Sequence, residues 1–261
     1  MKREELLAYC GGFIDGDGSI YSIVLQQTGG RGIYVRNELS AASDIRTPLD
    51  RIFGLLGVGS IAETKRGGFT YVVRFSDAAK AVKRLRPFLL TKYRQADLLL
   101  QLQSEINQTN PLVTSQLGVS RSSQRLPAGA IENRVAVARE ISRINNESPC
   151  DSCGAAPKKR KILTAWAAGY LDAEGYFHIS KSGGKKAPMI TMGTVDLGAA
   201  NLLKSHFGGY VVAAGHTKAG KAIHRWQVDR GAAVSVAKEI GPYLTVKREQ
   251  ADIIVLYQNS V

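Results

Sequence analysis

Two acidic residues end two similar motifs, and their chemistry suits a metal-dependent reaction. The first motif reads Gly11-Gly-Phe-Ile-Asp-Gly-Asp-Gly18, and the second reads Ala168-Gly-Tyr-Leu-Asp-Ala-Glu-Gly175. Carboxylate oxygens are ligands that Mg²⁺ prefers, and a bound divalent ion can activate water and stabilise the leaving oxygen of a phosphodiester. If the fold brings Asp17 and Glu174 together, these acids predict a site for phosphodiester hydrolysis.

Further pairs of segments recur in the same order. Arg86-Pro-Phe-Leu-Leu-Thr-Lys92 resembles Gly241-Pro-Tyr-Leu-Thr-Val-Lys247, and a weaker pair begins at Asp44 and Asp196. The interval between partners is nearly constant, which indicates a tandem duplication. A repeat of this length is a domain rather than a solenoid unit.

Each copy predicts helices mixed with short antiparallel strands, which is the α+β class. In the first copy, helices are expected at residues 3–16, 45–56 (with Asp44 as the N-cap), 77–86 and 91–108, and strands at 18–27, 33–42, 59–65 and 69–75. In the second copy, helices are expected at 161–173 and 197–207 and as a final pair, and strands at 176–182, 188–194, 209–216 and 222–228. Residues 1–110 and 161–261 are therefore predicted to be two halves, joined by a linker at 111–160 that contains a helix at 130–145.

Small residues form a stripe along each motif helix. Gly12 and Gly16 are four residues apart in the first, and Ala165, Gly169 and Ala173 have the same spacing in the second. Such side chains let two helix backbones approach closely. We therefore expect the two helices to pair, with their last turns side by side.

The glycines after the two acids, Gly18 and Gly175, are expected in the left-handed conformation that ends many helices. The inner acids Asp15 and Asp172 are expected to form hydrogen bonds at the helix ends rather than to bind metal.

The composition predicts a polyanionic partner. The 261 residues carry a net charge of +13 with a pI of about 9.7, which favours nucleic acid, with an anionic membrane surface as the alternative. There is no apolar run long enough to span a bilayer.

Acids in the first residues argue against a signal peptide, and three cysteines do not form a disulfide framework. We expect an intracellular protein that is not secreted, from an organelle or a prokaryotic cytoplasm. Cys150 and Cys153 are expected to be free thiols, with a zinc half-site shared between chains as the alternative.

The two motifs closely resemble the signature of the LAGLIDADG homing endonucleases, in both halves of the chain. The resemblance implies two pseudo-twofold αββαββα repeats in a monomer, whose antiparallel sheets form a DNA-binding saddle. It implies that Asp17 and Glu174 bind metal, Mg²⁺ with Mn²⁺ as a substitute, assisted by the carbonyls of Gly16 and Ala173. It also implies that Lys92 and Lys247 lie near the scissile phosphates.

One departure from the family concerns a Gln-Lys segment that many members have before the second helix. This chain has Ser40-Ala-Ala-Ser-Asp44 and Thr191-Met-Gly-Thr-Val-Asp196 there instead. The glutamine that organises solvent is therefore missing, and slower or differently supported activity is expected.

The strands offer side chains for reading DNA, because a two-stranded ribbon can enter the major groove. Lysines are expected at phosphates, and Arg, Gln and Glu at bases. Because the two halves differ in these residues, an asymmetric target is expected. The candidates are Tyr21, Gln27, Arg31, Arg36, Glu38, Lys65, Arg66 and Arg74 in the first half, and His178, Ser180, Lys181, Lys185, His216, Lys218, Lys221, His224, Arg225 and Gln227 in the second.

The sequence therefore predicts a site-specific homing endonuclease that makes metal-dependent double-strand cuts in a long duplex target. Two alternatives remain open. One is an RNA maturase that binds intron RNA and assists splicing, and the other is a DNA-binding protein without catalysis. The presence of both motif acids favours cleavage.

Overall fold

The computed structural model describes residues 1–26, 33–109, 129–147, 153–182 and 185–258. The first half contains α1 (Arg3–Asp17), β1 (Gly18–Gln26), β2 (Ile33–Ser43), α2 (Thr47–Leu56), β3 (Ser60–Glu63), β4 (Phe69–Arg74), α3 (Phe75–Leu85) and α4 (Tyr93–Thr109). A single 3-10 turn at Arg86–Phe88 separates the last two helices.

The second half repeats this order after one intervening helix. Its elements are α5 (Ala130–Asn146), α6 (Arg160–Glu174), β5 (Gly175–Ser182), β6 (Lys185–Thr194), α7 (Leu197–Phe207), β7 (Tyr210–His216), β8 (Ala222–Asp229), α8 (Arg230–Ile240) and α9 (Arg248–Gln258). The α+β class and the repeated element order are confirmed. Within the described ranges, no helix has the length and apolar character needed to cross a membrane.

Each half contains one four-stranded antiparallel sheet. The strand orders are β1-β2-β4-β3 and β5-β6-β8-β7, so the two sheets have the same topology. Side chains alternate between the two faces of a strand, and on the first sheet the apolar Ile20, Leu39 and Tyr71 are fully buried. This inner face packs on helices, and the polar residues of the strands lie mainly on the opposite, outer face.

Helices α1 and α6 pack along their small residues, as the sequence predicts. A Cβ added at Gly12 would lie 1.9 Å from the carbonyl oxygen of Trp166, and one added at Gly169 would lie 2.0 Å from that of Tyr9. Only glycine permits this approach at either position. Both helices are buried for most of their length, and they form the centre of the core that joins the halves.

Helix α5 packs against α4 and the edge strand β1. The amide Nδ2 of Asn145 donates to the carbonyl of Ile20 at 2.9 Å, which occupies an acceptor of the edge strand. The helix expected at 130–145 is confirmed. The division into halves at 1–110 and 161–261 and a linker at 111–160 stays a prediction.

Two local expectations are wrong. Gly18 and Gly175 have φ of −91° and −78°, which is not the left-handed region. Glycine is needed there because an added Cβ would lie 2.6 Å from a carbonyl oxygen of the preceding helix turn, that of Ile14 or of Leu171. Asp44 is not the N-cap of α2, because that helix begins at Thr47.

Candidate active site

The motif acids Asp17 and Glu174 end the two paired helices. A Cβ added at Gly16, one residue before Asp17, would lie 2.5 Å from Cβ of Ala173 and 3.3 Å from Cγ of Glu174. The last turns of α1 and α6 are therefore in contact. Both acidic side chains are exposed at this junction, where an ion or a phosphate can reach them.

The surroundings of the two acids raise their pKa values. Loss of hydration beside the surrounding protein atoms is the main cause for both. For Glu174, the nearby charge of Asp17 raises the pKa further. Lys92 and Lys247 oppose these shifts at both acids. A carboxylate whose charge is disfavoured by a neighbouring carboxylate gains from a shared or adjacent cation.

The inner acid Asp15 braces α1 against the loop that precedes α4. Its Oδ2 accepts hydrogen bonds from the Leu90 amide at 2.6 Å and from Nε1 of Trp166 at 2.9 Å. Its Oδ1 accepts from the Lys92 amide at 2.9 Å. Trp166 belongs to α6, so this buried carboxylate also ties the two motif helices together.

Asp172 has the same arrangement in the second half. Its Oδ2 accepts from the Tyr9 hydroxyl at 2.8 Å and from the Thr245 amide at 2.6 Å, and its Oδ1 accepts from the Lys247 amide at 2.9 Å. These contacts agree with the structural role expected for the inner acids. They also place each lysine at the end of its motif helix.

The two lysines cap the motif helices through their ammonium groups. Nζ of Lys92 donates to the carbonyls of Ile14 (3.0 Å), Asp15 and Gly16 (3.1 Å). An ammonium has three N–H donors, so these bonds use all of them. Burial lowers the pKa of Lys92, and the nearby carboxylates, Asp15 first, oppose that shift.

Lys247 repeats the cap on α6. Its Nζ donates to the carbonyls of Leu171 (3.0 Å), Asp172 (2.6 Å) and Ala173 (3.3 Å). Burial also lowers its pKa. In this arrangement neither lysine has a free donor for a phosphate, and a contact with DNA would require one carbonyl bond to be released.

Lys92→Met is expected to destabilise the fold. The apolar chain would leave three carbonyls at the end of α1 without this donor, and an unsatisfied buried polar group costs about 1–3 kcal/mol. Urea denaturation followed by circular dichroism measures the change. Lys80→Met, at an exposed lysine that pairs with Asp77, is the control and is expected to change stability little. Equal stability of the two variants would contradict the capping role.

Each motif acid faces its own cleft. The cleft beside Asp17 has a volume of about 310 Å³ and also contains Asp44 and Arg66. The cleft beside Glu174 has a volume of about 250 Å³ and also contains Asp196 and Lys221. In each cleft the motif acid therefore lies near another acid and a base. The bases Arg66 and Lys221 come from the β3–β4 turn and the β7–β8 turn.

The second acids of the two clefts differ. Asp196 is buried and caps α7, since its Oδ1 accepts from the Ala199 amide at 3.1 Å. Asp44 is exposed, and its charge raises the pKa of Asp17. The two halves are therefore unlike at the position of the missing glutamine.

The donor set fits a hard divalent cation. Each motif acid is next to a backbone carbonyl, that of Gly16 or Ala173, and all four groups offer oxygen. Among the described residues, no cluster of three or more His, Cys, Asp or Glu side chains is placed to hold a metal. Mg²⁺ is commonly held by one or two carboxylates, with waters and substrate phosphates as its other ligands, so two acids suffice.

The outer face of the first sheet carries four of the residues predicted to read DNA. Tyr21 lies opposite Glu38, and Glu38 lies opposite Arg74 on the next strand. Arg36 follows on the same face, since it lies two residues before Glu38. Of the other candidates in this half, Lys65 and Arg66 lie in the β3–β4 turn, and Gln27 and Arg31 lie outside the described residues.

On the second sheet, the strand register divides the predicted residues between the two faces. His178, Ser180, Arg225 and Gln227 lie on the outer face. Lys181 and His224 alternate with them and share the face of the buried Phe177 and Trp226. Lys218 and Lys221 lie in the β7–β8 turn, His216 ends β7, and Lys185 is the first residue of β6.

The β3–β4 turn and the β7–β8 turn share a conformation that the sequence analysis missed. In Thr64–Gly68 the Thr64 amide donates to the Gly68 carbonyl at 2.7 Å, and in Thr217–Lys221 the Thr217 amide donates to the Lys221 carbonyl at 2.8 Å. Each turn has a glycine with positive φ at its fourth position. The repeated Thr-Lys-x-Gly string was the signal, and it places a lysine at each hairpin tip.

Two exposed tyrosines on the outer face of the second sheet were also missed. Tyr176 is 63% exposed and stacks on His178 with ring centroids 4.6 Å apart. Tyr210 contacts Nε2 of Gln227 through its hydroxyl. Their alternation with His178 along β5 and their register with Gln227 were the available signals.

Comparison with known proteins gives matches in structure only. No family model matches the chain, and no curated protein matches it in sequence. The LAGLIDADG homing endonuclease I-GzeII, solved in complex with its DNA target, superposes with a TM-score of 0.71 at 14% identity, covering 97% of this chain and 91% of that one. I-SmaMI, bound to uncleaved DNA with calcium ions, has a TM-score of 0.67 at 17% identity, covering 100% and 92%. I-LtrWI, bound to target DNA, has a TM-score of 0.68 at 15% identity, covering 99% and 91%. The chain therefore has the fold of the LAGLIDADG homing endonucleases, over nearly its whole length and with both copies of the motif.

Proposed function

We propose that the protein is a site-specific DNA endonuclease that makes metal-dependent double-strand cuts in a long, asymmetric duplex. The observation that carries the proposal is the contact between the last turns of α1 and α6. It brings two motif acids to one exposed junction between two sheets. The DNA-bound structures with the same fold support a duplex substrate.

The residues at the junction would divide the work. Asp17 and Glu174 would hold the divalent ions, Mg²⁺ with Mn²⁺ as a substitute, together with the carbonyls of Gly16 and Ala173. A bound divalent ion supplies an activated water and stabilises the leaving oxygen of a phosphodiester. Lys92 and Lys247 keep the carbonyl ends of both helices in place and add positive charge beside the acids. One acid would serve each strand of the duplex.

The two outer sheet faces would hold the DNA. The net charge of +13 supplies the attraction to phosphates that dominates protein–DNA affinity. Lysines at the hairpin tips, Lys65 and Lys218, would contact phosphates, and the outer strand residues would contact base edges. A monomer in which residues 1–110 and 161–261 each bind one half-site would read a site without palindromic symmetry.

The first experiment is a cleavage selection from a randomised duplex library. In Mg²⁺ we expect enrichment of one long asymmetric site, because two unlike sheets read its halves. With EDTA we expect no cleavage, and with added Mg²⁺ or Mn²⁺ we expect it to return. In Ca²⁺ we expect the same site to be bound and not cut.

The outcomes of this selection separate the proposal from its alternatives. Specific binding without cleavage under any divalent ion would leave a DNA-binding protein without catalysis. A preference for structured RNA over duplex DNA in a filter-binding competition would favour a maturase. Cleavage that is unaffected by EDTA would remove the metal from the proposal.

A further inference from the structure

Glu38 is a buried carboxylate on the outer face of the first sheet. It is 4% exposed although it points away from the helices, because its neighbours on that face cover it. The Tyr21 hydroxyl donates to its Oε1, and Nε of Arg74 donates to its Oε2 at 2.9 Å. Nη2 of Arg36 also lies 3.3 Å from Oε2.

These contacts leave Glu38 poorly placed to touch a base. Both carboxylate oxygens already accept charge-assisted or hydroxyl hydrogen bonds, and the side chain is out of reach of solvent. A glutamate that reads a base must accept from the amino group of cytosine. Glu38 could do so only by giving up one of its three partners.

Arg74 has the opposite character. Its side chain is 48% exposed, and the nitrogen that it uses for Glu38 is Nε. The two terminal nitrogens form the far edge of a planar group whose orientation Glu38 sets. Two parallel N–H donors match the O6 and N7 acceptors of guanine, which is the commonest specific contact in the major groove.

We propose that Arg74 reads a guanine in the half-site bound by the first sheet, and that Glu38 is the positioning residue that holds the Arg74 guanidinium for this contact. The inference rests on the proposed DNA-binding function and deepens it. It assigns a base preference to one half of the site. It also assigns Glu38 a role different from that of a direct base contact.

In the equivalent row of the second sheet, the residue in the place of Arg74 has the opposite charge. His178 lies opposite Met189, and Met189 lies opposite Asp229. His178 lies three residues after Gly175, as Tyr21 lies three residues after Gly18, so the two are equivalent. The row that starts at His178 ends at Asp229, which therefore occupies the place of Arg74. A carboxylate favours the amino donor of cytosine and is repelled by the acceptors of guanine. A guanine opposite both Arg74 and Asp229 would be bound favourably by the first half only. This difference predicts that the two half-sites have different sequences.

The test compares sites selected by binding from a randomised duplex library in Ca²⁺. Wild-type protein is expected to select a guanine at one position of one half-site by roughly tenfold or more, the discrimination of a good bidentate contact. Arg74→Ala is expected to lose the preference at that position alone. Glu38→Gln is expected to lose it at the same position, since a neutral amide holds the guanidinium less firmly.

A control variant keeps the result interpretable. Lys80→Ala, at an exposed site on α3 away from the outer sheet face, is the control and is expected to leave the whole profile unchanged. Thermal unfolding of each variant verifies that the fold is intact, and Glu38→Asp replaces Glu38→Gln if the latter does not fold.

Three results would overturn the inference. A change of the preferred base in Glu38→Gln, rather than a relaxation, would make Glu38 a direct reader. Equal weakening for all sequences would make the cluster structural only. An unchanged profile in Arg74→Ala would remove Arg74 from base reading while leaving the endonuclease proposal intact. Wild-type protein that selects no duplex at all would instead refute the proposed function, and this inference with it.

Discussion

Asp17→Asn and Glu174→Gln are each expected to lose double-strand cleavage while binding the target duplex with close to wild-type affinity. Each substitution keeps the shape of the side chain and removes the charge that holds a divalent ion at the helix junction. Loss of a residue that only orients a metal ligand costs roughly 10–100-fold, so loss of a direct ligand is expected to cost more than about a hundredfold. The net positive charge of the DNA-binding faces is unaffected, so affinity is expected to persist.

A supercoiled plasmid that carries the selected site is the suitable substrate, because it separates nicking from linearisation. If each acid serves one strand, a single variant that retains any activity accumulates nicked circles. Asp50→Asn is the matched control, since Asp50 is an exposed carboxylate on α2 that pairs with Arg46. It removes the same charge at a distance from the junction and is expected to cut normally. Full linearisation by either motif variant in Mg²⁺ would refute the metal-binding assignment.

The order of elements was predictable because the chain is duplicated. A pattern that occurs twice in the same order is far less ambiguous than one occurrence, and each half checks the other. The helix expected at 3–16 is Arg3–Asp17, and the one expected at 161–173 is Arg160–Glu174. The small-residue stripe was sufficient to predict the pairing of these helices, since little else accounts for repeated glycines within a helix.

The sequence could not show contacts that depend on the register between distant strands. From the sequence alone, Glu38 is indistinguishable from a solvent-exposed charged residue on a strand. The registers of β1 with β2 and of β2 with β4 place Tyr21 and Arg74 on either side of it. Similarly, the three carbonyl bonds of Lys92 depend on how its loop folds back over the end of α1. The duplication indicated that Lys92 matters, but its partners required coordinates.

Gly12→Ala is expected to lower the free energy of unfolding by at least about 3 kcal/mol, at the upper end of the range for overpacking a core. The added methyl carbon would lie 1.9 Å from the carbonyl oxygen of Trp166, a distance that no side-chain rotation relieves because both groups are fixed to backbones. The helices α1 and α6 must therefore move apart. Gly169→Ala is expected to have the same effect, since its methyl would lie 2.0 Å from the carbonyl oxygen of Tyr9.

The matched control for this change is Gly54→Ala in α2. Gly54 is also a helical glycine, but an added Cβ would meet no atom within 4 Å, so alanine is expected to stabilise the helix by up to about 1 kcal/mol. Urea unfolding of the three variants gives the comparison directly. Separation of the helices also moves Asp17 away from Glu174. Gly12→Ala protein that still folds is therefore expected to have a greater loss in cleavage rate than in affinity for DNA. Equal stabilities of Gly12→Ala and Gly54→Ala would show that the helices do not meet along this stripe, and the junction of the two acids would then lose its physical basis.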